Sequence, residues 1–513
     1  MEDERENGAG RDTKRLIGLI GGPALAVILL VFTDLQPGSP MVTRCAAVAV
    51  WMATWWITEA IPIAATALLP VALFPLLGIM SGKATAAAYF NNVILLFIGG
   101  FIIALAMERW DLHRRIALRI ILLIGISPHR IILGFMVATF FLSMWISNTA
   151  TTMMMVPMAM AIIVKMKDTY GPEKVHRIAV GLLIAVAYAA SIGGTATLIG
   201  TPPNLAFARI LTITFPHAPD ISFTQWMVFA LPLAVLFLIV TWLLLTKVFV
   251  GKAKGLTTDS GIFREEMARL GPIRYEEKII LAAFGLVAFL WLFRQDIALG
   301  AFTIPGWSQL FPQPKYIDDG TVAIAVSLLL FLIPSKRREG GRRVRLMDWK
   351  TATRLHWGIV ILFGGGFALA AGFEQSGLAA YLGDQLAGLK QLPPLLIVVA
   401  VCTMLTFLTE VTSNTATTQI FLPILAALAA AITINPLLLM IPATLSASCA
   451  FMLPVATPPN AIIFGTGEVR MQDMIRVGIF MNLIGIILIT AAIYLLGVHV
   501  FGIDLSAMPP WAQ

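Results

Sequence analysis

Two segments concentrate ion-binding residue types within an otherwise oily chain. Ser147-Asn148-Thr149-Ala150-Thr151-Thr152 recurs 266 residues later as Ser413-Asn414-Thr415-Ala416-Thr417-Thr418. Their hydroxyl and amide groups donate to carboxylate or sulfate oxygens, and their oxygens suit a small hard cation. A second pair, Thr201-Pro202-Pro203-Asn204 and Thr457-Pro458-Pro459-Asn460, is 256 residues apart. Paired prolines remove backbone donors and stop the preceding helix, so a new half-helix starts at each break. Each such N-terminus carries roughly +0.5 of a charge and free N–H groups. Four of them facing one cavity would hold an anion. The chemistry is binding rather than catalysis, because the breaks lack a nucleophile–base pair. Cys45, Cys402 and Cys449 lie in apolar runs without ligand spacing, and the six histidines are scattered, so no metal cluster is expected.

The elements that position these motifs must be membrane helices. Of the 513 residues, 58% are hydrophobic and only 12% charged, about half the charged content of a soluble domain, with a mean hydropathy of +0.86. Unbroken apolar runs exclude a transmembrane β-barrel, and no cleavable secretory pattern precedes the first run. Candidate spans fall at 16–33, 45–60, 62–79, 90–107, 178–214, 222–246, 279–294, 320–334, 357–373, 437–465 and 475–501. Segments 129–165 and 393–432 are interrupted at the Ser-Asn-Thr motifs and read as re-entrant hairpins. The net charge of +8 is spread over short inter-span segments, which disfavours nucleic acid as a partner. Basic runs at Lys247–Lys278, including Lys252 and Lys254, and at Lys336–Arg345 set those segments on the cytoplasmic side. Alternation then brings Arg11, Lys14, Arg15, the Arg109–Arg119 stretch and the Lys165–Arg177 loop to the same side. The N-terminus falls inside and the C-terminus outside.

The duplication extends beyond the two motifs. Phe97-Ile-Gly-Gly-Phe101 with Glu108 and Leu112 recurs as Phe363-Gly-Gly-Gly-Phe367 with Glu374 and Leu378, again 266 residues on. An odd number of crossings separates the copies, so the repeat is inverted, a construction of secondary transporters with a midplane site. Any one polar cluster can serve interhelical hydrogen bonding; four at matching positions argue for a site. Ser143 and Thr409 add an oxygen just before each tip. Glu410, matched by Met144, is expected to be structural rather than an ion ligand. Glu59 is expected to be a buried anchor, the Arg109–Arg119 stretch an interfacial amphipathic helix, and Met153, Met154 and Met155 packing residues.

These motifs resemble those of the divalent anion/sodium symporter family. The resemblance runs from Thr58-Glu59-Ala60-Ile61-Pro62 to the last span, and the paired Ser-Asn-Thr tips with two Pro-Pro-Asn turns carry it. It implies an all-α membrane protein of eleven transmembrane helices plus two re-entrant hairpins, a homodimer, and an elevator-type transport domain. It places substrate contacts on Ser147, Asn148, Thr149, Thr201, Pro202, Ser413, Asn414, Thr415, Thr457 and Pro458. One sodium site falls on Ser143, Ser147, Asn148 and Gly200, the other on Thr409, Thr412, Asn414 and Ala456, with backbone carbonyls completing both. Thr412 stands where some relatives have Ala. The chain then divides into a cytoplasmic tail (1–15), a first span with its external loop (16–44), repeat 1 (45–250), a cytoplasmic connection (251–278), repeat 2 (279–501) and an external tail (502–513). The expected activity is sodium-coupled uptake of C4 dicarboxylates across the cell membrane, with no enzymatic step. Sodium-independent dicarboxylate or 2-oxoglutarate exchange and citrate or sulfate symport remain open, as does an ion channel.

Overall fold

A computed structural model describes residues 2–125, 127–251, 261–299, 302–339, 342–505 and 507–513; Lys252 and Lys254 therefore lie outside the described residues. The chain is predominantly helical. In order, α1 (Glu2–Phe32), α2 (Pro40–Thr58), α3 (Ile63–Thr66), α4 (Leu69–Leu76) and α5 (Gly82–Ala88) lead into α6 (Asn92–Arg109) and α7 (Leu112–Ile124). The first hairpin is α8 (Pro128–Ser143) and α9 (Asn148–Tyr170). A broken pair, α10 (Pro172–Thr195) and α11 (Pro202–Thr214), follows, then α12 (Phe223–Leu245), α13 (Gly261–Leu270) and α14 (Tyr275–Leu292). The second half runs through α15 (Asp319–Leu332), α16 (Trp349–Ala352), α17 (Trp357–Ser376) and α18 (Leu378–Leu386). It closes with hairpin α19 (Pro394–Leu408) and α20 (Asn414–Ala431), broken pair α21 (Leu437–Ser446) and α22 (Pro458–Phe464), and α23 (Met471–Ala492).

Among the described residues, eight helices are long and apolar enough to cross a membrane, and five shorter apolar helices include the first arms of both hairpins. The predicted spans 178–214 and 437–465 are each broken at their Thr-Pro-Pro-Asn motif. Proline at the first turn of α8, α10, α11, α19 and α22 begins a helix where its missing N–H costs nothing.

Three expectations need correction. The fold is not purely α-helical: short antiparallel ribbons pair β1 (Ile297–Leu299) with β2 (Phe302–Ile304) and β3 (Pro334–Glu339) with β4 (Arg342–Arg345). The second ribbon is the basic run itself, too polar for the hydrocarbon that excludes open strand edges elsewhere. Glu59 is exposed rather than buried, and caps α2 in a left-handed conformation at φ 50°. Met153 is 61% exposed and lines a cavity instead of packing, whereas Met154 packs against the core beside that cavity and Met155 is buried in it.

The duplication is visible as geometry. Phe97 of α6 meets its repeat partner Phe363 of α17 edge to face, with ring centroids 5.5 Å apart. Both spans turn into their following helices through a left-handed residue, Asp111 at φ 57° and its counterpart Gly377 at φ 80°. At the matching glycines Gly99 and Gly365, a Cβ would stand 2.6 Å from the backbone of Ala323 and 2.4 Å from the Ala67 carbonyl oxygen. The two core helices thus approach their neighbours backbone to backbone. The half-helices also exchange: α11 packs on α20 of the second hairpin and α22 on α9 of the first, so the four breaks share one bundle.

The basic segments are gathered too. Arg115, 3% exposed, donates Nε to Glu277 at 3.0 Å and Nη1 to the Gly271 carbonyl at 2.9 Å. Arg109 pairs with Asp348 at 2.6 Å, and Trp110 donates to the Leu346 carbonyl at 2.8 Å. The Lys336 amide donates to Glu276 at 2.7 Å. Segments around 109–119, 271–278 and 334–348 therefore form one face of the molecule. Helix α7 turns Arg115 inward, and this buried ion pair holds that face together.

Replacing Gly365 by Val should push α17 off Ala67 and cost about 1–3 kcal/mol through overpacking. A lowered melting temperature of the detergent-purified protein would report it. Gly285→Ala, at a position with open space around its Cβ, serves as the control and should be neutral or stabilising.

Candidate ion and anion site

Each hairpin tip ends one helix and starts another, and the Ser-Asn-Thr residues sit at that junction. Ser147 precedes α9, its Oγ accepting from the Ala150 N–H at 3.2 Å. Ser413 occupies the same place before α20 without a side-chain cap. Thr201 and Thr457 precede α11 and α22, and Thr457 Oγ1 accepts from the Asn460 N–H at 3.5 Å. All four half-helix starts expected from the motifs are present.

Beside each tip lies a cluster of three oxygens. Ser143 Oγ is 2.6 Å from Asn148 Oδ1 and 2.8 Å from the Ala190 carbonyl oxygen. Thr409 Oγ1 is likewise 2.6 Å from Asn414 Oδ1 and 2.8 Å from the Ala447 carbonyl oxygen. One hydroxyl proton serves two acceptors in each cluster, which leaves oxygen lone pairs in excess. Such a set suits a hard monovalent or divalent cation. Gly200 joins the first cluster through Gly194: a Cβ on Gly194 would stand 2.5 Å from Asn148 Oδ1, and one on Gly200 2.5 Å from the Gly194 carbonyl oxygen. Ser143, Asn148 and Gly200 are thus drawn together, with Ser147 adjoining them. Thr409 and Asn414 are drawn together in the second set. The Thr412 hydroxyl instead bonds the Leu408 carbonyl at 2.8 Å and Thr417 Oγ1 at 2.7 Å, and no bond joins it to Thr409 or Asn414 among the described residues. Ala456 is buried, its N–H bonded to the Leu453 carbonyl at 3.2 Å.

Of the expected anion contacts, Ser147, Asn148, Thr149, Pro202, Ser413 and Asn414 are half-buried, Thr201, Thr415 and Thr457 are buried, and Pro458 is exposed. None is Lys or Arg. No group of three or more His, Cys, Asp or Glu side chains comes together among the described residues.

Three residues outside the expected binding set hold the breaks in shape. Asn204 Nδ2 donates to the carbonyls of Gly194 and Thr197 at 3.2 and 2.7 Å, and Asn460 Nδ2 to the matching carbonyls of Ala450 and Leu453 at 3.1 and 3.0 Å. These asparagines close the Pro-Pro-Asn motifs, so their recurrence was a readable signal. Glu410 accepts the N–H groups of Phe451, Met452 and Leu453 at 2.7, 2.9 and 3.0 Å, and Asn482 Nδ2 at 2.8 Å. Tyr188 Oη donates to the Phe451 carbonyl at 2.6 Å. In repeat 1 the corresponding join is simpler, Thr197 Oγ1 donating to the Met144 carbonyl at 2.5 Å. The difference follows from side chains: Ala450 and Ala456 stand where repeat 1 has Gly194 and Gly200, and their Cβ atoms do not fit the tight first loop. Helix α21 accordingly ends at Ser446, although the residue matching the end of α10 is Phe451. The Glu410 carboxylate accepts the three N–H groups released. It has a structural set of partners, as expected.

Hairpins and helices broken in mid-span, duplicated and interlocked, make this a multi-pass membrane transporter by architecture. The chain belongs to the sodium:sulfate symporter family, whose transmembrane-region model matches residues 23–503. It is 44% identical over 502 residues to a sodium-dependent dicarboxylate transporter, SdcS, of Staphylococcus saprophyticus, covering 97% of this chain and 94% of the relative. The Staphylococcus aureus protein of the same name is 45% identical over 503 residues with the same coverage. Among solved structures, the Alcanivorax borkumensis YdaH transporter matches with a TM-score of 0.54 at 12% identity, over 89% of this chain and 99% of that one, a likeness of fold alone.

Glu410→Ala should leave three backbone N–H groups and the Asn482 amide unpaired and cost about 3–5 kcal/mol, and Glu410→Gln, which keeps one acceptor oxygen, about half of that. Thermal unfolding in detergent measures both; a melting temperature unchanged by the Ala variant would contradict the role assigned to the carboxylate.

Proposed function

We propose that the protein is a secondary active transporter coupling inward sodium movement to uptake of C4 dicarboxylates such as succinate, fumarate and malate. The single observation that carries this is the duplicated oxygen cluster, Ser143–Asn148–Ala190 and Thr409–Asn414–Ala447, beside two Ser-Asn-Thr tips. The relatives described as sodium-dependent dicarboxylate transporters support the choice of ion and substrate class.

The physical logic is charge balance. A dianion brought out of water needs positive partners, and the substrate contacts carry no cationic side chain. Half-helix N-termini supply partial charge, hydroxyl and amide groups donate hydrogen bonds, and two bound sodium ions complete the neutralisation. Asn148 and Asn414 link the two tasks, each offering Oδ1 to a cation while its neighbours face the anion. Sodium therefore binds first and creates the anion site, which gives obligatory coupling.

Eleven crossings with the two hairpins entering from opposite sides, a cytoplasmic N-terminus, a homodimer, and elevator-like motion of the bundle holding the four breaks complete the reading. The gathered basic face supports the orientation. Its bundle of exchanged half-helices supports motion as one body.

Proteoliposomes containing the purified protein should accumulate labelled succinate only under an inward sodium gradient. Uptake persisting in choline or potassium medium would refute coupling, and trans-stimulation without sodium would favour an exchanger. Unlabelled fumarate and malate should compete better than citrate or sulfate. Asn148→Ala and Asn414→Ala should each weaken the apparent affinity for both sodium and succinate roughly tenfold or more, the scale of one lost charge-assisted contact; a variant that alters neither would displace the site from the hairpin tips.

A further inference from the structure

The Ser147 tip is not sealed. A cavity of about 150 Å³ is lined by Ser147, Ile146, Ala150, Glu108, Arg354 and His356, among others. A wider one of about 480 Å³ shares Glu108, Ile146, Ala150 and Arg354 and extends to Arg109, His113 and Arg114. Together they run from the basic face to the first hairpin tip. Their size suits a small ligand with its water.

The arginines lining this passage differ in how far they are already engaged. Arg109 pairs with Asp348, and Arg114 with Asp111 and Glu266. Arg115, which lines neither cavity, is buried against Glu277. His113 is held by the Met107 carbonyl at 3.1 Å, and burial lowers its pKa, which leaves the imidazole uncharged at neutral pH. Arg354 is exposed and makes no ion pair within 4 Å among the described residues, although Glu108 is near enough to feel its charge. It lines both cavities and stands three residues before α17.

The repeat sharpens the point. At the 266-residue offset Arg109, His113, Arg114 and Arg354 correspond to Gln375, Ala379, Ala380 and Ala88, while Glu108 is kept as Glu374. The binding motifs are duplicated and the cationic passage is not. The passage is therefore particular to one side of the repeat, unlike the binding motifs that both halves carry.

We propose that this passage is the cytoplasmic vestibule of the transport path and that Arg354 is a docking cation, engaging a carboxylate of the substrate between the cytosol and the Ser147 tip. The inference rests on the dicarboxylate-transport reading above and adds a sidedness that reading does not contain. A fixed charge in a water-filled, low-dielectric cleft raises local anion concentration and encounter rate, and salt screens it. Arg354 thus acts on the cytoplasmic face alone, outside the ion and anion site.

Sealed right-side-out and inside-out membrane vesicles from cells making the full-length protein test this, with labelled succinate and saturating sodium on the side of addition. Arg354→Gln should raise the cytoplasmic-face KM about fivefold, the scale of one solvated charge contact. The outer-face KM should stay within about twofold and the sodium dependence should not move. Arg354→Lys should retain most of the wild-type value, and Arg354→Glu should exceed the Gln effect. Potassium chloride should raise the cytoplasmic KM of the wild type more steeply than that of Arg354→Gln. Equal changes on both faces, or none, overturn the assignment of Arg354 and leave sodium-driven transport standing. A wild-type chain that moves no succinate with sodium overturns the transport reading itself and this inference with it.

Discussion

Everything in this protein depends on how four interrupted helices keep their backbone polar groups bonded inside a hydrocarbon layer. An unpaired N–H or C=O there costs several kcal/mol, so an unwound segment survives only when other groups replace the missing helix bonds. Asn204 and Asn460 bind the carbonyls of their own loops, Ser147 and Thr457 cap the half-helices that follow, and Glu410 takes three amides at once. Only after those bonds are made can Ser143, Asn148, Thr409 and Asn414 present oxygens that are not consumed by the fold. The proposed ion chemistry rests on the oxygens that remain once the breaks are satisfied.

The two copies satisfy that constraint differently. Repeat 1 uses glycine to bring its loop against the hairpin, where Gly200 would collide with Gly194 if it carried a Cβ. Repeat 2 has alanine at both places, unwinds sooner, and fills the gap with a carboxylate and Tyr188. The oxygen clusters nevertheless have the same two distances, 2.6 and 2.8 Å. The cluster geometry is held constant while its support varies, which is where an imperfect repeat is free to drift.

Cationic side chains are kept away from the proposed site. The hairpin tips and Pro-Pro-Asn turns contain no Lys or Arg, while several basic segments collect on one face, where Arg115 and Glu277 tie α7 to the start of α14. In the proposed cycle sodium supplies the balancing charge and leaves with its cargo, and a peripheral arginine in the proposed vestibule attracts the substrate without trapping it.

Much of this was legible in the order of residues. Low charge content and apolar run lengths required a membrane protein, the spacing of Ser147–Thr152 and Ser413–Thr418 exposed the duplication, and paired prolines located the breaks, because local backbone chemistry dictates where a helix stops. The structural role of Glu410 could be suspected from its lack of a repeat partner. Its four donors could not, since Phe451, Met452, Leu453 and Asn482 are more than forty residues away in the chain. The exposure of Glu59, the basic β-ribbon, the inward turn of Arg115 and the place of Met153 in a cavity were decided only by packing. Residue type and spacing determine where a helix must begin and end; which side chains then complete one another depends on segments that meet only when the chain has folded, and no local pattern records that meeting.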